Sequence, residues 1–247
     1  MELELSLAAE KIFHIAGFAI TNSLLTTWIV MGALILSVFV AARNLKEVPS
    51  RWQVVVELVI ESLYSLVEGV AGKKTKEFFP LVATFFIYII FLNWSELIPG
   101  VGSIGFLEHA HGKDFLIPLF RAPTADLNVT LAFALISVIA AQYYGIKKLG
   151  LLRYSKRFIN VKNPIDFVVG ILEIISEIAK IISFSFRLFG NIFAGEVLLT
   201  VVAFLIPFFA PIPFFALEIF IGFVQAIVFA MLTLVFLNIA TEAHDEH

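Results

Sequence analysis

Arg187 lies in the run Ser183-Phe184-Ser185-Phe186-Arg187-Leu188-Phe189-Gly190-Asn191, and from Ile181 to Ile206 the only formal charges are Arg187 and Glu196. A guanidinium stays protonated in proteins. Placing one near the centre of a spanning helix costs about 2.5–3.5 kcal/mol on insertion scales. It therefore calls for a partner, a water-filled cavity or a function. At about 100° per residue, Lys180, Ser183, Arg187, Asn191 and Ala194 share one helix face, and Glu196 falls on the opposite one. Cation and anion do not pair within the helix, so each answers to a different neighbour. Further on, Glu218, Gly222, Gln225 and Phe229 share a face of a second apolar segment, again with a carboxylate and an amide that have no local partner. A carboxylate in a low-dielectric site can carry a proton near neutrality. Carboxylates beside a permanent cation are the parts that proton conduction with a one-way barrier requires. An interhelical hydrogen-bond clamp would account for Gln225 alone, but not for two isolated carboxylates and an arginine.

Composition indicates the scaffold. Of 247 residues, 60% are hydrophobic and 15% charged, and mean hydropathy is +0.97. That leaves too little polar surface to coat a soluble core. The chain reads as an all-α polytopic membrane protein forming a single membrane domain. Residues 24–42 carry no charge and can cross a hydrocarbon core of about 30 Å. In residues 50–72, Glu57, Glu61, Tyr64 and Glu68 form a polar stripe, with Val55, Val59, Leu63, Leu66 and Val70 on the other face. This is an amphipathic helix on the membrane surface or against other helices. Upright spans are expected at 78–98, where Trp94 suits an interface, and at 126–144. A polar loop at 99–123 joins them.

The last third is unusual in length. Residues 164–206 and 213–243, each opened by a proline, make helices about 65 and 46 Å long at 1.5 Å per residue. Both exceed a hydrocarbon core of about 30 Å, and ordinary spans tilt by only about 20°. The expected form is a long, steeply tilted helical hairpin packed against another object. The alternative is that residues 164–180 extend beyond the bilayer.

Charge placement orients the chain. Arg43, Lys46, Arg51, Lys73, Lys74 and Lys76 separate the first two spans, and Lys147, Lys148, Arg153, Lys156, Arg157 and Lys162 follow the third. Only Lys113 and Arg121 lie in the loop between the second and third spans. The positive-inside rule then puts the N-terminus outside and the C-terminus in the cytoplasm. The first residues lack a cleavage-site pattern and read as a retained segment.

Other chemistries are excluded. A net charge of −3 offers no basic field for nucleic acid, and the absence of cysteine removes disulfides and thiolate chemistry. There is no phosphate-cradling glycine loop and no nucleophile motif, so no nucleotide binding, no catalysis and no cofactor are expected of this chain. Glu108, His109 and His111 lack a fixed third ligand, and with His244 and His247 they read as solvated; no metal site is expected.

The block Arg187-Leu188-Phe189-Gly190-Asn191-Ile192-Phe193-Ala194-Gly195-Glu196 resembles the signature of subunit a of F-type ATP synthases. Gln225-Ala226-Ile227-Val228-Phe229, Asn93-Trp94-Ser95-Glu96-Leu97-Ile98-Pro99 and Pro123-Thr124-Ala125-Asp126-Leu127-Asn128-Val129-Thr130 resemble it too, in collinear order over about residues 20–245. The resemblance implies a stationary, non-catalytic, proton-conducting subunit in a bacterial plasma membrane. Its partners would be a rotating ring of c subunits, the peripheral-stalk b subunits and lipid. Arg187 would face the ring carboxylates and separate two aqueous half-channels. Glu196, Glu218, Gln225 and Asn191 would line or border the outer one, with Asp126 near its mouth. Position 218 departs from the histidine of some relatives and keeps a protonatable group with a different pH range. Glu173, Lys180 and Ser183 match positions on the inner side, where Glu177 is a local candidate.

A sodium-coupled version of the same subunit is the nearest alternative. A self-contained secondary transporter is the alternative from another class, but such proteins pair two halves around a midplane site. Here the intramembrane charges gather after residue 166 with no mirroring half. A purely structural scaffold would have no use for Arg187.

Overall fold

The computed structural model describes residues 9–15, 18–43, 46–98, 100–101, 104–110, 113–155, 158, 164–207 and 209–242. Seven helices carry the described fold: α1 Asn22–Arg43, α2 Arg51–Ala71, α3 Thr75–Ser95, α4 Leu127–Leu149, the short α5 Leu151–Ser155, α6 Pro164–Leu205 and α7 Pro211–Thr241. Two antiparallel hairpins complete it. Strands β1 (Lys11–Ile15) and β2 (Phe18–Thr21) precede α1, while β3 (Gly105–Ala110) and β4 (Lys113–Pro118) lie between α3 and α4. The chain is an all-α polytopic membrane protein, with five stretches long and apolar enough to cross a bilayer.

The 99–123 segment differs from the polar loop expected there. Gly105 to Ala110 pairs in continuous register with Pro118 to Lys113, so backbone hydrogen bonds order much of it. His111, His244, His247, Lys156, Arg157 and Lys162 lie outside the described residues. Asn22 bonds to Pro118 O, Ser23 to Asp126 and Arg121 to Glu196, so both hairpins share one end of the bundle with the α6–α7 turn. The opposite end carries Lys73, Lys74, Lys76, Lys147 and Lys148. These are called below the hairpin end and the basic end.

The core is where α3, α4, α6 and α7 converge. Phe78, Ile89, Leu92, Leu188, Ile192, Leu234 and Leu237 are fully buried there, and Phe85, Phe133, Phe184 and Phe229 meet edge-on or tilted. Small polar clamps replace the hydrophobic drive that lipid removes. Ser137 and Thr233 hydroxyls meet at 2.8 Å between α4 and α7, and Thr130 and Ser185 at 3.1 Å between α4 and α6. On α3, Asn93 Nδ2 donates to Gly222 O at 2.8 Å and Trp94 Nε1 to Ile219 O at 3.1 Å, locking α3 to α7 near the hairpin end.

Helix α2 buries Leu63, Val67 and Ala71, while Val55, Val59, Leu66 and Val70 are exposed. The expected apolar face is therefore split. A narrow i, i+4, i+8 stripe packs on the bundle, and the remaining valines face outward with the rest of the apolar surface. Helix α6 has 42 residues and α7 31, or about 63 and 46 Å, again beyond a span of about 30 Å. In the first half of α6, Ile165, Phe167, Val168, Val169, Ile171, Leu172, Ile174, Ile175 and Ile178 are all exposed. A soluble monomer seldom shows so large an apolar patch.

Candidate functional site

Helix α6 presents two different faces. Phe184, Ser185, Leu188, Ile192 and Gly195 are buried against the bundle, whereas Ser183, Arg187, Asn191 and Ala194 are exposed along one stripe. This is the i, i+4 geometry read from the sequence, and it turns Arg187 away from the chain's own core. Arg187 has no hydrogen-bond or ion-pair partner among the described residues. It borders an open groove of about 250 Å³ that also touches Ser176, Lys180, Ser183, Leu232 and Phe236.

Toward the basic end, Lys180 Nζ pairs with Glu177 Oε1 at 2.7 Å and lies 5.0 Å from the Phe236 ring centroid. Lys180 and Phe236 also line a small cleft with Glu177 and Gln142. Polar groups thus continue from that cleft to Arg187 along one side of α6. Glu173 is half-buried one turn before Glu177.

Toward the hairpin end lies a second polar group of residues. Glu196 Oε2 accepts from Arg121 Nη2 at 3.3 Å, with Arg121 buried and Glu196 at 23% exposure. Glu218 is buried, and its Oε1 has no hydrogen-bond partner among the described residues. Space for it comes from Gly195, since even a methyl group there would run into the Glu218 carboxylate. Glu96, immediately after α3, lies within electrostatic reach of Glu196, Glu218 and Arg121. Glu96, Glu196 and Glu218 therefore form one carboxylate cluster, with the Arg121 guanidinium on its Glu196 and Glu96 side. Glu196 and Glu218 are brought together as neighbours of this cluster.

Asp126 sits differently. It caps α4, accepting from Asn128 N at 2.9 Å and Asn128 Nδ2 at 3.1 Å through Oδ1, and takes Ser23 Oγ on Oδ2 at 2.5 Å. Both of its oxygens are engaged in capping α4 and tying α1 to it.

Gln225 makes no direct hydrogen bond to Arg187. The helix register nevertheless brings them close in level. Gly195 packs against Glu218, Phe184 against Phe229 at 4.9 Å and Lys180 against Phe236 at 5.0 Å. These pairs set Arg187 level with residues near 226–229, within about one turn of Gln225. Counting from Pro207 and Pro213 predicts a separation of about 12 Å along the axis. The difference arises because α6 stops at Leu205 and α7 starts at Pro211, where proline suits the first turn. Cysteines at Phe184 and Phe229 should therefore form a disulfide on mild oxidation, seen as a mobility shift. Cross-linking confined to pairs offset by two turns would overturn this register.

A family model described as ATP synthase A chain matches residues 24–238. The chain belongs to that family. It is 36% identical over 234 residues to "ATP synthase subunit a" of Moorella thermoacetica, covering 95% of this chain and 97% of the relative. It is 35% identical over 244 residues to the chloroplastic "ATP synthase subunit a" of Stigeoclonium helveticum, covering 98% and 93%. The "ATP synthase subunit a 2" of a Bradyrhizobium species is 34% identical over 234 residues, covering 95% of each chain. Membership makes this an ion-translocating, multi-pass membrane subunit of the ATP synthase, not catalytic by itself.

Sequence reasoning had not included Arg121 and Glu96 in the site. Both were visible in principle. Arg121 is the buried cation two residues before Pro123, and Glu96 stands inside the Asn93–Pro99 stretch. What concealed them was distance along the chain, since Arg121 meets Glu196 across 75 residues.

Proposed function

We propose that this subunit conducts protons between two aqueous half-channels and a rotating ring of c subunits, with Arg187 as the barrier between the channels. The observation that carries this reading is the exposed stripe Ser183–Arg187–Asn191–Ala194, which lies between a carboxylate cluster on one side and the Lys180–Glu177 groove on the other. A guanidinium there can face the carboxylate of a neighbouring subunit without being neutralised by its own chain. The cluster of Glu96, Glu196 and Glu218 serves the outer half-channel. The groove through Ser183, Lys180 and Glu177, with Glu173 at its start, serves the inner one. Asn191 and Gln225 border the site of exchange, and Gln225 offers Arg187 an amide oxygen that leaves its charge intact. Asp126 supports the outer mouth by fixing α4. Positive-inside orientation puts the hairpin end outside, and the peripheral-stalk b subunits and lipid cover the remaining apolar faces.

The test is reconstitution. The chain alone should move no solute, while the assembled complex should acidify vesicles on ATP addition in sodium-free buffer. Solute transport by the chain alone, or ATP-driven transport that requires sodium, would overturn the reading.

Arg121 has a defined part in it, as the counter-charge that holds Glu196 in place. Arg121→Gln should slow proton entry from the hairpin side and shift the pH profile of ATP-driven pumping. Removing one partner of a buried pair costs about 3–5 kcal/mol, so some loss of assembly is expected as well. Arg121→Lys should restore most of both. The Arg121→Gln/Glu196→Gln pair should recover assembly but not transport. Full transport in that double variant would reduce the ion pair to packing.

A further inference from the structure

Three helices meet around a cavity of about 230 Å³ at the basic end. Lys74 and Glu77 enter from the start of α3, Tyr144, Lys147 and Lys148 from the end of α4, and Thr241 from the end of α7. Three ammonium groups thus face one carboxylate. Lys74 is fixed in place, its Nζ donating to Asn238 Oδ1 at 3.0 Å and to Thr241 Oγ1 at 2.8 Å. An ammonium has three donors, so one remains. Lys147 Nζ donates to Glu77 Oε1 at 2.9 Å and keeps two. Lys148 is without a partner among the described residues. Phe78 and Tyr144 meet edge-on at 5.4 Å and form the apolar side.

Lysines in a last helical turn ordinarily complement the helix dipole, which accounts for Lys147 and Lys148 singly. Lys74, just before α3, is held at the last turn of α7 by two hydrogen bonds, so three ammonium groups from two helix ends line one cavity. Glu77 neutralises one ammonium of three, leaving an excess of two positive charges among the residues that line the cavity.

We propose that this cavity binds a phosphate group, carried by an anionic phospholipid headgroup or free as inorganic phosphate. Lys74, Lys147 and Lys148 supply both the charge and the free N–H donors. Basic pockets between spans on the cytoplasmic side are suited to lipid headgroups.

The test uses the assembled complex purified with its lipids. Native mass spectrometry would compare retained phosphatidylglycerol and phosphatidylcholine in wild type, Lys147→Gln/Lys148→Gln and Lys148→Glu. The last variant spares the Lys147–Glu77 pair and controls for folding. A fall in phosphatidylglycerol affinity of roughly thirtyfold in the double variant, as two lysine charges near an anionic lipid would produce, identifies the lipid source. Retention by inorganic phosphate in lipid-depleted wild type but not in the variants, with phosphatidylglycerol indifferent to the substitutions, identifies the free anion. Phosphatidylglycerol and phosphate binding both unchanged by the substitutions would overturn the site.

Discussion

Arg187→Ala should reduce ATP-driven proton pumping and proton-driven ATP synthesis to background, while the complex still assembles. Arg187 makes no hydrogen bond or ion pair among the described residues, and its side chain is exposed. Removing it takes away no packing or pairing that the subunit's own fold requires. What disappears is the permanent cation that the proposed function sets against the ring. A passing ring carboxylate would no longer be forced to lose its proton before crossing that point, so passive proton leak should rise. Arg187→Lys should rescue poorly. An ammonium lacks the planar fork of a guanidinium and gives up its proton more readily when desolvated. The measurements are ATP-driven quenching of a pH-sensitive dye in inverted vesicles, and passive proton permeability with ATP hydrolysis blocked. Normal pumping in Arg187→Ala vesicles that contain the full complex would remove Arg187 from the mechanism.

That prediction depended on features legible in the sequence. Two isolated charges, nine residues apart in an otherwise apolar run, have their faces set by helical geometry alone. The buried stripe Phe184–Leu188–Ile192 and the exposed stripe Ser183–Arg187–Asn191 follow the same rule. The fold class was legible for the same reason, since uncharged runs of spanning length leave few other structures. Features that depend on contacts distant in sequence were not. Nothing local marks Arg121 as the partner of Glu196, because that pairing exists only once the segment before α4 folds back onto α6. The strands escaped notice although Ala16-Gly17 and His111-Gly112 separate them, and a two-residue link ending in glycine is a hairpin signal. Short strands flanked by long apolar helices contribute little to hydropathy. Counting from Pro207 and Pro213 leaves the level of Gln225 relative to Arg187 open, because α6 ends two residues before Pro207 and α7 starts two before Pro213. Pro211 occupies the first turn of α7, and the two-residue difference slides one long helix past the other.

Glu218→Gln should slow proton translocation more than Glu196→Gln, although the two carboxylates lie in one cluster. Glu196 accepts from Arg121 at 3.3 Å, a fixed partner whose charge is permanent. Glu218 has no such partner. It is buried beside Gly195, and Oε1 makes no hydrogen bond among the described residues. A carboxyl group with an unused oxygen and no fixed cation is the one free to take up and release a proton as its neighbours change charge. An amide keeps the shape and polarity of Glu218 but cannot do this. A positioned proton-transfer group contributes roughly 10²–10⁴-fold, so Glu218→Gln should cost about a hundredfold in translocation rate with assembly intact. Glu196→Gln should cost less, and leave Arg121 in need of another anion, which Glu96 can supply. Glu218→His offers the discriminating control. It restores a titratable group whose unperturbed pKa is about 6.5, against about 4.3 for glutamate, and should recover transport with an altered pH profile. Rates would be measured as ATP-driven pumping across a pH series, normalised to assembled complex. If Glu218→Gln pumps at the wild-type rate with an unchanged pH profile, the proton does not pass through Glu218. Gly195 would then serve only to let two long helices pack closely.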